Sequence, residues 1–137
     1  WDINYGTMVQ VEDVANRLLA TDEDITFSGG DPMFQIEAFA ELASIIKAKS
    51  NKNIWCYTGY TFEQLLRNNK SLELLKNIDV LVDGRFIEEQ KDKEILFRGS
   101  RNQRLIDVQQ SLKLGEIVTY QPIGLLSPLL MKYKIHA

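Results

Sequence analysis

The chain has 137 residues, the length of one domain, and its 45% hydrophobic and 26% charged residues are ordinary for a globular protein with a core, which excludes intrinsic disorder. With 16 Lys and Arg against 19 Asp and Glu and no basic run, the net charge of -3 argues against nucleic acid as a partner. No apolar stretch reaches the length of a membrane span, and there is no signal-peptide pattern. We therefore expect no membrane partner. The single cysteine, Cys56, excludes an intramolecular disulfide, so we expect a cytoplasmic protein.

The chain begins with a predicted helix and a predicted buried strand. Apolar residues recur at helical spacing from about Met8 to Ala20. An acidic connector, interpreted as a solvated loop, then leads into the short apolar run Ile25–Ser28.

The end of that run has the composition of a corner between a strand and a helix. Gly29 and Gly30 follow Ser28, and glycine allows positive φ and a close approach of the backbone to a ligand. Asp31 can cap the next helix, and Pro32 suits its first position. Local chemistry leaves two interpretations open, a ligand-binding corner and a well-made turn without a ligand.

Two further helix and strand units follow this corner. The apolar stripe from Met33 to Ile46 predicts a helix, and Ile54–Thr58 predicts a strand buried enough to take Cys56 inside. Thr61–Gln64 has the spacing of a capping box at the start of a helix. A third strand is predicted over Ile78–Asp83.

This alternation predicts the α/β fold class, as a partial (βα) barrel or an open mostly parallel sheet with flanking helices, in a single domain over residues 1–137. Ligands in such folds bind at the carboxyl ends of the strands. The candidate wall is therefore Ser28–Asp31, Thr58–Tyr60 and Asp83–Arg85.

The last third of the chain is less regular. We predict a surface loop at Phe86–Lys93, a fourth strand at Ile95–Arg98, a helix at Arg101–Lys113 and a last strand at Glu116–Tyr120. The tail, residues 121–137, is rich in leucine and has no assigned function. It either covers an open sheet edge or packs against a partner chain.

Four blocks at these corners together resemble one family, and they occur in its order: Ile25–Pro32, Ile54–Tyr60, Val80–Phe86 and Phe97–Arg104. The family is the activating protein of anaerobic ribonucleoside-triphosphate reductase, a small radical S-adenosylmethionine enzyme. The similarity spans about Trp1 to Leu112.

The resemblance implies a radical S-adenosylmethionine type of fold and two cofactors, S-adenosylmethionine and a 4Fe-4S cluster. It implies reductive cleavage of S-adenosylmethionine and hydrogen abstraction from a glycine of the reductase large subunit, which becomes a glycyl radical. A reducing electron donor protein would be a second partner. By the family pattern, the cofactor-binding residues are Ser28, Gly29, Gly30 and Asp31 beside the methionine moiety, with Asp83, Arg85 and Asn102 near the cofactor.

The same resemblance suggests where the reductase binds. A radical made at the carboxyl ends of the strands must reach a glycine on another protein. We therefore expect the rim formed by Thr58–Tyr60, Arg85–Phe86 and Arg98–Asn102 to face the reductase.

The chain departs from the family at the cluster ligands. Enzymes of this kind hold the cluster with three cysteines spaced CxxxCxxC, and Cys56 alone cannot replace them. In the family, the cysteine loop lies a few residues before the stretch that begins here with Trp1. We therefore expect that the chain starts just after this loop and is catalytically incomplete by itself. The alternatives are a noncatalytic α/β binding or assembly module that has lost the cluster and, from the alternation alone, a flavodoxin-like nucleotide-binding domain.

Overall fold

The computed structural model describes residues 8–28, 30–121 and 133–136, with backbone alone for residues 8–9 and 133–136. The α-helices in these ranges are α1 (Met8–Leu19), α2 (Ile36–Lys49), α3 (Phe62–Leu65), α4 (Asn69–Leu75) and α5 (Val108–Leu114). The strands there are β1 (Ile25–Ser28), β2 (Ile54–Tyr57), β3 (Val80–Asp83), β4 (Arg104–Asp107) and β5 (Tyr133–His136). None of the described helices is both long and apolar enough to cross a membrane.

The strands form one open sheet in the order β4-β3-β2-β1-β5. Strands β5, β1, β2 and β3 are parallel, and β4 runs antiparallel to β3. The predicted open, mostly parallel sheet with flanking helices is therefore confirmed. The parallel pairing places the carboxyl ends of β1, β2 and β3 at one edge of the sheet.

The two faces of the sheet are covered differently. Alternate strand residues, among them Phe27, Cys56 and Leu81, join a large buried cluster with the apolar side chains of the helices. On the opposite face, Trp55 and its neighbours are covered by loop residues such as Phe97. The described helices thus lie against one face, which leaves the loops at the strand ends to shape a site.

The capping box predicted at the start of α3 is confirmed. Thr61 Oγ1 accepts a hydrogen bond from the Gln64 amide at 3.2 Å, and Gln64 Oε1 accepts one from the Thr61 amide at 2.8 Å. These two bonds satisfy amides at the helix start. They also fix the residues that follow β2 at the edge of the sheet.

The strand predicted at Ile95–Arg98 is wrong. Phe97 has a φ of 66°, a left-handed conformation that interrupts an extended chain. Its ring packs edge-on against Trp55, with ring centroids 4.9 Å apart, and its carbonyl accepts a hydrogen bond from the Tyr57 hydroxyl at 2.7 Å. The apolar composition of this segment is explained by the packing of Phe97 over Trp55.

The helix predicted at Arg101–Lys113 is wrong in its first half, which contains strand β4, whereas α5 confirms its second half. The Asp107 carboxylate accepts a hydrogen bond from the Gln110 amide at 3.1 Å and so caps α5, which begins at Val108. The apolar spacing of Leu105 and Val108 mimics a continuous helix, although Leu105 belongs to a strand.

The two predictions for the end of the chain have different outcomes. Glu116–Tyr120 forms a single bridge, between Thr119 and Ile106, in place of the predicted strand. Strand β5 pairs with β1 and extends the sheet. The prediction that the tail covers an open sheet edge is therefore confirmed for residues 133–136. The rest of the tail, residues 122–132 and 137, lies outside the described part.

Candidate ligand-binding cleft

An open cleft of about 1010 Å³ lies where β1, β2 and β3 end. Its wall is built from the three corners that follow these strands and from the loop that precedes β4. The residues that line it include Asp31, Gly59, Tyr60, Glu63, Asp83, Gly84, Arg85, Asn102 and Arg104.

The structure brings together part of the predicted set of site residues. Four of them line the cleft, namely Asp31, Asp83, Arg85 and Asn102. Ser28 is half-buried at the end of β1, and Gly30 is exposed. Both precede Asp31 in the sequence, but neither of them lines the cleft. Gly29 lies outside the described residues.

Asp31 joins the first two corners. Its Oδ1 accepts a hydrogen bond from the Met33 amide at 3.0 Å, which caps the short 3₁₀ turn after β1. Its Oδ2 accepts one from the Gly59 amide at 2.8 Å, and the Thr58 hydroxyl lies 3.0 Å from both oxygens. The predicted helix cap of Asp31 is therefore confirmed. A carboxylate offers about four acceptor positions, so three donors leave one for a ligand.

Asp83 is the buried acid of the cleft, with 1% of its surface exposed. Its Oδ2 accepts a hydrogen bond from the Phe62 amide at 2.8 Å, and its two oxygens accept bonds from the Arg104 guanidinium. Arg104 also binds Glu63, with Nη2 2.6 Å from Oε1, and this bond lowers the pKa of Glu63.

Sequence reasoning missed Arg104 and Glu63. Arg104 was hidden because the predicted helix ran through it, and its contact with Asp83 depends on antiparallel pairing far apart in sequence. The available signal is Asp107, which ends β4 and belongs to a residue type that commonly caps helices.

Asn102 holds the third corner in place. Its Nδ2 donates a hydrogen bond to the Arg85 carbonyl at 2.7 Å, and Gln103 Nε2 donates one to the Gly84 carbonyl at 2.9 Å. Gly84 has a φ of 94°, which glycine adopts without strain. The Arg85 side chain remains exposed at the rim of the cleft.

The charges of the wall are slightly acidic in sum. Its carboxylates are Asp31, Glu63 and Asp83, and its guanidiniums are Arg85 and Arg104, so the formal charge is -1. Since one guanidinium binds two of the carboxylates, Asp31 and Arg85 are the charges that keep the most capacity for a ligand. The wall therefore suits a small molecule that carries both an ammonium and a carboxylate.

The described residues do not fit a 4Fe-4S cluster. Cys56, the single cysteine of the sequence, is completely buried on β2. Burial, and secondarily the negative charge of Asp31, raise the pKa of its thiol well above the usual range, which disfavours the thiolate that binds iron. Among the described residues, no three His, Cys, Asp or Glu side chains come together as a metal site.

Comparison with known proteins gives a consistent family. Residues 1–106 match the profile of the 4Fe-4S single cluster domain. The chain is 38% identical over 112 residues to the anaerobic ribonucleoside-triphosphate reductase-activating protein of Enterobacteria phage T4, covering 77% of this chain and 69% of that protein. It is 34% identical over 112 residues to the proteins of the same name from Haemophilus influenzae and Escherichia coli K12, covering 75% of this chain and 71% of each relative. No solved structure gives a significant match. The chain therefore belongs to the family of anaerobic ribonucleoside-triphosphate reductase-activating proteins.

Proposed function

We propose that the chain serves the activation of an anaerobic ribonucleoside-triphosphate reductase as a radical S-adenosylmethionine protein. In the proposed reaction, one electron cleaves S-adenosylmethionine into methionine and a 5′-deoxyadenosyl radical, and this radical takes a hydrogen atom from a glycine of the reductase. The glycine becomes the glycyl radical. The names of the relatives support reductase activation, and the cleft supports the choice of cofactor.

The charge of the cleft is the observation that carries this proposal. S-adenosylmethionine has an ammonium, a sulfonium and a carboxylate at neutral pH, so its net charge is about +1. The wall has a formal charge of -1 and offers both a carboxylate and a guanidinium with unused capacity. Opposite charges in a cleft favour the encounter and fix the orientation of the ligand.

The residues of the wall have distinct proposed roles. Asp31 uses its remaining acceptor position for the ammonium, and the exposed Arg85 binds the carboxylate. Ser28, Gly29 and Gly30 supply backbone groups beside the methionine moiety. Asp83 offers one further acceptor, while Asn102 keeps the third corner in shape.

The remaining cofactor and partners are proposed from the family. A 4Fe-4S cluster would supply the electron that S-adenosylmethionine requires, and the match of residues 1–106 to a 4Fe-4S single cluster domain supports a cluster. Because the described residues offer no ligand set for it, none of them is assigned a role in electron transfer. The proposed partners are the reductase large subunit and an electron donor protein, and the proposed location is the cytoplasm.

The charge of Asp31 provides the direct test. Asp31→Asn removes the charge but keeps a good helix cap, whereas Asp31→Ala removes both. A charge-assisted bond to an ammonium is typically worth about 1.5 to 3 kcal/mol, or roughly a ten- to hundredfold change in the dissociation constant. Calorimetric titration with S-adenosylmethionine should show this loss in both variants.

Thermal melting separates binding from folding. We expect Asp31→Ala to lose about 1 kcal/mol of stability and Asp31→Asn to lose less, since asparagine still caps. If the two variants bound S-adenosylmethionine as the wild type does, Asp31 would be a structural residue and the proposed site would be wrong.

A further inference from the structure

We propose that Arg104 is a positioning residue, which holds the buried Asp83 at the wall of the cleft so that Asp83 can contact bound S-adenosylmethionine. This inference rests on the proposed function, because it concerns the same ligand. Neither the family resemblance nor the comparisons assign a role to this arginine.

The antiparallel strand β4 creates the contact. Asp83 is the last residue of β3 and Arg104 the first of β4, and the two are direct partners in the register. A parallel β4 would place its first residue at the opposite edge of the sheet. The reversal of this one strand therefore brings a guanidinium to the edge where the cleft lies.

The Arg104 guanidinium forms a bridge between two carboxylates. Nε lies 3.0 Å from Asp83 Oδ1, and Nη2 donates to Asp83 Oδ2. On the outer side, Nη1 lies 3.2 Å from Glu63 Oε2, and Nη2 lies 2.6 Å from Glu63 Oε1. The bridge ties β3, β4 and α3 together at the wall of the cleft.

A count of donors shows how Arg104 acts. A guanidinium has five N–H groups, and the contacts with Asp83 and Glu63 use four of those of Arg104. Little capacity remains for a ligand, so Arg104 acts through the carboxylates that it holds.

Asp83 depends on its hydrogen bonds with Arg104 more than Glu63 does. Asp83 is 1% exposed, and its other protein donor is the Phe62 amide. Removing one member of a buried pair leaves an uncompensated charge, whereas the exposed Glu63 side chain can turn to water. Three donors leave Asp83 about one acceptor position, and Asp83 lines the cleft.

The test is a double-mutant cycle on S-adenosylmethionine binding, measured by calorimetry up to millimolar ligand. We expect Arg104→Met and Asp83→Asn each to weaken binding about tenfold or more, and the double variant to bind no worse than Asp83→Asn alone. Arg104→Lys should recover part of the loss, since a lysine keeps the charge without the fork. Arg67→Met is the matched control, because Arg67 is exposed and does not line the cleft.

Each other result has a definite meaning. If the double variant lost affinity by the product of the two single losses, Arg104 would act directly on the ligand and the inference would be overturned. Unchanged binding by Arg104→Met, with only a lower melting temperature, would make Arg104 purely structural and leave the proposed function standing. If Arg104→Met does not fold, Arg104→Lys decides by the same cycle. Absence of binding by the folded wild type would overturn the proposed function and this inference with it.

Discussion

The hydroxyl of Thr58, the residue after β2, lies 3.0 Å from both carboxylate oxygens of Asp31, the acid at the corner after β1. Thr58 is buried, and its Oγ1 also accepts a hydrogen bond from the Tyr60 amide at 3.2 Å. One side chain thus links the two corners that form a wall of the cleft. The orientation of Asp31 depends on its bond with the Thr58 hydroxyl and on the hydrogen bonds that it accepts from two backbone amides.

We therefore predict that Thr58→Val weakens S-adenosylmethionine binding severalfold and destabilises the chain by about 1 to 3 kcal/mol, because it leaves polar groups unpaired. Thr58→Ser is the matched control, since it keeps the hydroxyl and loses only a methyl group. Calorimetry and thermal melting measure the two effects. Equal affinities for the two variants would show that the Thr58 hydroxyl does not orient Asp31 for the ligand.

The outline of the sheet could be predicted because its signals are local. The buried runs at β1, β2 and β3 are short and apolar, and caps such as Thr61 mark where helices begin. Asp31 and Asp83 can be predicted because Asp31 lies at the corner after β1, Asp83 ends β3, and each belongs to a family block. Parallel pairing then places both at one edge.

The wrong predictions concern long-range pairing. Strand β4 has only two fully buried residues, Leu105 and Ile106, and nothing local shows that it turns back along β3. Ile95–Arg98 has the composition of a strand because it covers Trp55. The link between Arg104 and Asp83 follows from the antiparallel pairing, so it could be recognised only with the fold in hand.

The chain of 137 residues is predicted to take up no stoichiometric 4Fe-4S cluster. Its one cysteine is buried, and burial disfavours the thiolate. Anaerobic incubation with iron and sulfide should leave the visible absorbance of the wild type equal to that of Cys56→Ala. A stoichiometric cluster signal in the wild type would contradict this prediction, and its loss in Cys56→Ala would identify Cys56 as a ligand.

The pair of Glu63 and Arg104 predicts a pH-dependent stability. The hydrogen bond from Arg104 lowers the pKa of Glu63 below its usual value of 4.5. A carboxyl group whose pKa is lowered by folding stabilises the folded state at pH values above its unfolded pKa. This contribution is lost as the pH falls through the pKa of the folded state. Because the Glu63 side chain is 54% exposed and screened by solvent, we expect the contribution to be about 0.2 to 1 kcal/mol at pH 7.

Glu63→Gln isolates this contribution. The gap in melting temperature between the wild type and the variant should be about 1 to 4 °C at pH 7 and should shrink as the pH falls below 4.5, the usual pKa of a glutamate. Other acids titrate in both proteins, so their effects cancel in the difference. A gap that stayed constant as the pH fell from 7 to well below 4.5 would show that the Glu63 charge does not contribute.

The rim proposed to face the reductase includes Tyr60, which forms an exposed aromatic pair with the neighbouring Phe34. Phe34 is 77% exposed and Tyr60 39% exposed, and their ring centroids lie 6.5 Å apart at the wall of the cleft. Large exposed aromatic side chains are enriched as anchors of protein interfaces. Arg98 suits this role less well than expected from the sequence, because it is half-buried and its Nη1 donates to the Gln103 carbonyl at 3.1 Å.

We predict that Phe34→Ala and Tyr60→Ala each weaken association with the purified reductase by about tenfold, since truncation of an interface anchor typically costs more than 1 kcal/mol. Leu114→Ala is the control, because Leu114 is 59% exposed at the end of α5 and does not line the cleft. Titration of the reductase measures the affinities, and circular dichroism verifies that each variant is folded. If the aromatic variants bound as tightly as Leu114→Ala, the reductase would dock on another surface, and the radical would have to leave the cleft by a route that avoids this pair.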